Sequence, residues 1–262
     1  MKGVILAGGT GSRLYPLTRI TNKHLLPVYT KPMVFYPIEA LVAAGIDEVM
    51  IVTGGNHAGD FLPLLGNGHE FGLGRLQFSF QERAGGIAEA LGLCEKFVDG
   101  DRMVVILGDN ILGETIAPYV DNFRRQERGA RLLLKDMADP SHLRHLGVPI
   151  LNERGQIQYI REKPQTPPSS YAVIGVYMYD PEVFEIIKTL KPSGRGELEI
   201  TDVNNAYVDR QGMDYDVIGG FWGDAGESIE VYYEVIDEVR RNGANKPCAT
   251  RAEAPLTAPV GT

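Results

Sequence analysis

Four short aliphatic runs recur along the first half of the chain and read as strands: Gly3-Val4-Ile5-Leu6, Glu48 to Thr53 (EVMIVT), Leu76 to Phe80, and Met103 to Leu107 (MVVIL). Helical patterns accompany them at Met33 to Ala44, closed by Gly45 in a left-handed cap, at Ile87 to Phe97 and at Thr115 to Gln126. Strands this uniformly apolar are buried on both faces. Helices between them act as right-handed crossovers, so the strands run parallel. The expected architecture is α/β, with a doubly wound, mostly parallel sheet.

The second half changes character. Val148 to Leu151, the turn Asn152-Glu153-Arg154-Gly155 and Ile157 to Ile160 read as a hairpin. A Pro/Ser loop at 166–170 precedes a strand at Ala172 to Tyr179 and a helix at Pro181 to Leu190, with proline in its first turn. A charged amphipathic helix covers Glu230 to Arg241, and residues 243–262 read as a Pro/Ala/Thr tail that need not pack.

Composition narrows the function. The 262 residues carry a formal charge of −8, which argues against a broad basic surface for nucleic acid but leaves room for a few cations around a small anion. Cys94 and Cys248 stand alone and suggest neither disulfides nor a thiolate zinc site. The apolar run Val4 to Ala7 is too short for a signal segment or a membrane span, so a cytoplasmic protein without a membrane partner is expected.

The densest chemical signal is Leu6-Ala7-Gly8-Gly9-Thr10-Gly11-Ser12-Arg13-Leu14, directly after the first strand. Such a turn lets backbone N–H groups surround a phosphate, with Arg13 adding charge. It lacks the third glycine and the distant acid of the dinucleotide fingerprint, and the Gly-Lys-Ser/Thr of a Walker loop. By itself it supports a structural turn and a phosphate cradle equally.

The continuation decides. G-G-x-G-x-R-L-x-P-L-T is followed by Lys23, Leu25-Leu26-Pro27-Val28 and Lys31-Pro32-Met33. Further segments follow in order: Gln81 with Gly85-Gly86-Ile87-Ala88, Leu107-Gly108-Asp109-Asn110, Gly147-Val148, Glu162-Lys163-Pro164, Tyr171-Ala172-Val173, Gly194 to Val203, and Trp222-Gly223-Asp224-Ala225-Gly226. Together they resemble the sugar-nucleotide nucleotidyltransferases, most closely the glucose-1-phosphate thymidylyltransferases, from residue 1 to about residue 240.

The resemblance implies a Rossmann-like nucleotidyltransferase fold with an inserted β-rich sugar-binding region. It implies one domain over 1–242, with a nucleotide-binding half (about 1–135), a sugar-phosphate half (about 136–227), a C-terminal helix (228–242) and a tail. The activity implied joins a pyrimidine nucleoside triphosphate, dTTP first and UTP next, to a sugar 1-phosphate, glucose 1-phosphate first, releasing pyrophosphate. A sugar-nucleotide sensor without turnover is the alternative from another class. The family's common dimers and tetramers imply a homo-oligomer.

Roles follow by residue. Asp109, at the C-terminal end of a buried strand, and Asp224, in a second glycine-bounded loop, are the expected ligands of Mg²⁺, a hard ion suited to carboxylates and phosphate oxygens. Arg13 and Lys23 are expected to neutralise the triphosphate as solvent-facing cations. Lys163 and Arg195 would take the sugar phosphate, and Glu162 the sugar hydroxyls. These six, the two aspartates with the four cations, are the catalytic candidates. Gly8, Gly9, Gly11, Gln81 and Gly86 are expected around the nucleotide, and Asn110, Gly147, Val173 and Trp222 around the sugar, where Trp222 either stacks or simply packs. The Gln81 amide both donates and accepts, matching O4 and N3–H of thymine or uracil; a flipped amide meets cytosine as well. His142 and His145 form an H-x-x-H without a third ligand, in a stretch that reads as a loop.

Departures from the family pattern are Leu146 where a tyrosine is usual, Pro149 in place of an apolar strand residue, and Ala225-Gly226-Glu227 for Thr-Gly-Thr. The chain also stops before the extra C-terminal helices of longer members, which leaves feedback control by a sugar nucleotide open.

Overall fold

The structure, a computed structural model, describes residues 1–55, 57–139 and 141–247. The four aliphatic runs become β1 (Lys2–Ala7), β2 (Glu48–Gly54), β3 (Arg75–Gln81) and β4 (Met103–Leu107). They pair in parallel in the order β3-β2-β1-β4. Alternation along β1 sends Val4 and Leu6 to one face and Ile5 and Ala7 to the other, and all four are buried.

Helices of six residues or more are α1 (Phe35–Ala43), α2 (Ile87–Gly92), α3 (Ala117–Arg125), α4 (Glu182–Thr189), α5 (Ile200–Asp209) and α6 (Ile229–Asn242). One core layer lies between the sheet and α2, α4 and α5, through Leu91, Val183, Ile187 and Val203. The other lies under α1 and α3, through Ile38, Leu41, Val120 and Phe123. The helix expected over 87–97 breaks in two: α2 ends at Gly92, and a separate turn covers Glu95–Val98. Glycine is about 1 kcal/mol poorer than alanine inside a helix, and the break falls there.

The β-rich second half joins the same sheet. Its strands are β5 (Asn110–Leu112), β6 (Ala130–Asp136), β7 (Gly147–Leu151), β8 (Ile157–Glu162), β9 (Tyr171–Tyr179), β10 (Met213–Ile218) and β11 (Trp222–Asp224). β9 runs antiparallel to β4 and to β6, and β10 lies parallel to β6, completing nine strands. The expected hairpin is β7–β8, which reaches the sheet through Val173 and Gly147. β5 and β11 form a small separate ribbon.

Ser228 caps α6 by accepting the Val231 N–H at 3.1 Å. The helix then covers Leu14, Leu26, Tyr36 and Ile111, so it clamps the loop that carries Arg13 and Lys23 against β5. No helix among the described residues is long and apolar enough to cross a membrane. The tail expected from residue 243 packs at its start: the Asn245 N–H donates to Leu112 O at 2.8 Å and its side-chain amide to Tyr36 O at 2.9 Å, satisfying backbone groups beside β5. Residues 248–262, with Cys248, lie outside the described residues.

Candidate active site

The chain leaves β1 toward β2 on one side and returns as β4 on the other, so the loops after β1 and β4 diverge at a topological switch point, where open α/β sheets place their ligands. A cavity of about 610 Å³ opens there. Every expected site residue lines it except Gly11. That glycine is a brace: it sits at φ +64°, where an added side chain would meet Thr18 Cγ2 at 2.8 Å, and its carbonyl accepts the Thr18 hydroxyl at 2.8 Å.

Arg13 is exposed on the turn over Ser12–Leu14, and among the described residues it makes no ion pair. Lys23 differs from expectation. Its side chain is only 12% exposed, and its ammonium is hydrogen-bonded to Asp109 Oδ2. The physical reason is Asp109 itself, which is buried, and a buried carboxylate needs a cation or donors beside it. Gln81 closes β3 at the cavity wall and donates from Nε2 to Gly86 O at 3.1 Å and to Glu89 Oε1 at 3.2 Å, so the donation to O4 of a base expected from sequence is not available and only its oxygen is left to accept. Gly86 takes φ +101°, ψ 169°, a region open essentially only to glycine, and its backbone lies against that of Leu198.

Asp109 and Asp224 come together through the β5–β11 ribbon, in which Asp224 faces Asn110. The Ala225 N–H donates to Asp109 O at 2.9 Å and locks the two loops. Asn110 is buried at the hub. Its Oδ1 accepts Gly175 N–H at 2.9 Å and Trp222 Nε1–H at 2.6 Å, while its Nδ2 donates to Asp109 Oδ1 at 3.1 Å. The Trp222 indole is thereby tied into the wall of the cavity. Burial pushes the Asp109 carboxyl up, but the Lys23 charge and the hydrogen bonds from Lys23 and Asn110 outweigh it and hold Asp109 well below the usual carboxylate range. Asp224 goes the other way: burial and the negative charge of Asp109 raise it, against weaker opposition from Lys23, the Gly226 N–H and Arg13.

At the other end of the cavity Lys163 stands at φ +43°, a left-handed conformation costing a non-glycine residue roughly 1 kcal/mol or more. Its N–H donates to Leu146 O at 3.0 Å and fixes the loop before Gly147. Glu162 lies 3.5 Å from both Lys163 Nζ and Arg195 Nη2 and accepts the Thr201 hydroxyl at 2.6 Å. Arg195 is also held by Glu199 at 2.8 Å and Glu197 at 3.4 Å. The two cations are therefore paired with carboxylates at this end of the cavity.

Sequence reading gave no role to several residues that line this cavity. Thr201 and Glu199 position Glu162 and Arg195, and both lie inside the matched segment 194–203. Tyr177 is not among these: its sequence position reads as core or pocket lining, and it is buried in the cavity wall. His24, fully buried beside Lys23, shares Nδ1 with Asn22 Oδ1 at 2.8 Å; that oxygen only accepts, so Nδ1 carries the proton. Its adjacency to Lys23 was the available signal. His142 and His145 lie on a short 3₁₀ turn rather than in an open loop, with His142 3.1 Å from Glu227 and His145 on the cavity wall. Among the described residues no cluster of three or more His, Cys, Asp or Glu side chains is arranged for a metal.

Glycine-turn cations, a carboxylate pair and a second set of cations around one switch-point cavity define an enzyme built to handle phosphates on both reactants. The chain belongs to the nucleotidyl transferase family, which it matches over residues 2–242. It is 43% identical over 246 residues to the glucose-1-phosphate thymidylyltransferase of Actinoplanes sp., covering 91% of this chain and 80% of that one. A crystal structure from Bacillus anthracis, described as a glucose-1-phosphate thymidylyltransferase, superposes with a TM-score of 0.86 at 51% identity over 92% of this chain and 95% of that one. A UDP-glucose pyrophosphorylase bound to UDP-glucose shares the fold, with a TM-score of 0.77 at 24% identity over 92% and 98% of the two chains. The protein is a nucleotidyltransferase enzyme.

Proposed function

We propose that the chain condenses dTTP with glucose 1-phosphate to give dTDP-glucose and pyrophosphate, with UTP as its second triphosphate. The observation that carries this is a single cavity shared by Gln81, Arg13 and Lys23 on one side and by Glu162, Lys163 and Arg195 on the other, together with the Asp109–Asp224 pair. The names of the thymidylyltransferase relatives support the choice of base and sugar.

In this reading Arg13 and Lys23 hold the triphosphate, and Lys163 and Arg195 hold the sugar phosphate. An oxygen of that phosphate attacks the α-phosphorus in line; the new P–O bond forms as the bond to the β-phosphate oxygen breaks, inverting phosphorus and releasing pyrophosphate. The cations supply charge stabilisation where oxygens gain negative charge. Glu162, steadied by Thr201, accepts from sugar hydroxyls.

Enzymes of this family use a divalent metal. Asp109 and Asp224 fit one by their donor set: two hard oxygen donors facing one cavity, with Asp224 raised by burial and then by the charge of Asp109. They would hold Mg²⁺, which when bound neutralises charge on the phosphoryl oxygens. Asn110 orients the Asp109 carboxylate through its hydrogen bond at 3.1 Å.

The test is pyrophosphate release across dTTP, UTP, dCTP, ATP and GTP, each with glucose, galactose and mannose 1-phosphates. Highest kcat/KM for dTTP with glucose 1-phosphate is expected. A purine triphosphate used equally well would overturn the base assignment, and no dependence on added Mg²⁺ after chelation would overturn the metal one.

A further inference from the structure

An amide next to a base reads whichever edge it is free to turn toward, and a flipped glutamine would accept cytosine where an unflipped one accepts thymine. Gln81 is not free to turn. Both hydrogens of its Nε2 are engaged, one by Gly86 O at 3.1 Å and one by Glu89 Oε1 at 3.2 Å. Gln81 Oε1 lies on the Gly8 side of the same cavity, and among the described residues no donor serves it. A flip would set that oxygen against a carbonyl and a carboxylate, two groups that only accept. The carboxylate is itself pinned: Arg83 donates to Glu89 Oε2 from Nε at 3.1 Å and from Nη2 at 3.0 Å.

We propose that Glu89, held by Arg83, is a specificity-determining positioning residue that locks the Gln81 amide so that only its oxygen faces the base, and that among pyrimidines the site thereby selects bases carrying an imino N–H. This rests on the reading that Gln81 meets the base. Thymine and uracil present N3–H and are accepted. Cytosine and adenine present a bare ring nitrogen, which sets two acceptors against each other and leaves Gln81 Oε1 without a partner. A glutamine at position 89 would lack this power, because its own amide donates as readily as it accepts. The fork from Arg83 keeps the carboxylate aimed, so the discrimination comes from a residue that need not touch the nucleotide.

The experiment compares kcat/KM for dTTP and dCTP, both with glucose 1-phosphate, in the unmutated enzyme, E89Q, E89A and Q81A, with thermal midpoints recorded for each. A dTTP preference narrowed about tenfold in E89Q and E89A is expected, equal to about 1.4 kcal/mol of discrimination. The KM for glucose 1-phosphate should hold constant. A merely structural lesion lowers both triphosphates alike and leaves the ratio in place. An unchanged ratio in both Glu89 variants, with the ratio collapsed in Q81A, overturns the lock while leaving Gln81 at the base. An unchanged ratio in Q81A overturns the placement of the base at Gln81, and the lock falls with it. E89A stands in should E89Q fold poorly, since it removes the acceptor without adding a donor.

Discussion

Replacing His24 with glutamine isolates one buried titration. Burial, and then the Lys23 charge, lower the imidazole from 6.5 to about 3, with Asp109 pulling weakly the other way. Between those two values the unfolded chain binds a proton that the folded chain does not, so His24 favours the folded state above pH 6.5 and loses that contribution as pH falls. The slope is about 1.36 kcal/mol per pH unit. From pH 6.5 to about pH 4.5, still above the folded value, the loss is 2 × 1.36, or about 2.7 kcal/mol. The introduced glutamine would not titrate, and its amide can still donate to Asn22. Urea unfolding of both proteins from about pH 8 to pH 4.5 gives two stability curves, in which the titrations common to both cancel on subtraction. The unmutated protein should be the more stable near pH 8, with that lead shrinking by about 2.7 kcal/mol at the acid end. Parallel curves would refute the claim that the imidazole is buried neutral.

Three further outcomes bear on the site. Lys23→Ala and Arg13→Ala should each cut turnover roughly 10²–10³-fold with saturating substrates, the usual loss for a charge-stabilising donor; near-normal turnover removes the phosphate assignment. Lys163→Gly should be more stable than Lys163→Ala by about 1 kcal/mol, because only glycine relaxes at this backbone angle, while both raise KM for the sugar phosphate; equal thermal midpoints refute the strain. Gly86→Ala should cost roughly 1–3 kcal/mol from backbone strain and should raise KM for the triphosphate, since the added methyl displaces Leu198; a normal midpoint and KM count against that packing.

Much of the fold was legible, for an identifiable reason. β1, β2 and β4 are apolar in sequence because both faces of a central parallel strand are covered, and runs of that kind are hard to read otherwise; β3, at the edge of the sheet, reads RLQFSFQ and is only half-buried, short of the two-sided burial expected. Most of the elements missed carry a weaker pattern; β6 is the exception, since its buried Leu132-Leu133-Leu134 run is legible as a strand yet is absent from the sequence expectation. α5 reads ITDVNNAYVD, with β-branched residues and asparagines of low helix propensity, and is held by burial of Val203, Asn204 and Tyr207 rather than by its own preference. β10 carries Asp214 and Asp216 within its six residues, and these face Arg131 across the edge instead of marking a loop. The strands β5 and β11, three residues each, are too short for any periodicity.

That last omission explains why the site was only half legible. Motif spacing named Asp109 and Asp224 separately, but their meeting depends on the β5–β11 ribbon and on Asn110, which ties Asp109, Gly175 and Trp222 together. Nor does spacing reveal how the two carboxylates divide their surroundings. Lys23 serves Asp109, and among the described residues Asp224 has only the Gly226 N–H at 2.9 Å and more distant cations. Full pairing of both would make a more stable ribbon, and a cation added to it would gain little. Leaving one carboxylate raised and under-served keeps the pair short of positive charge, and such unbalanced burial concentrates where chemistry is done. The lysine expected in open solvent is buried for the same reason: it neutralises the first aspartate and leaves the second unmatched, so the demand for a further positive charge faces the cavity.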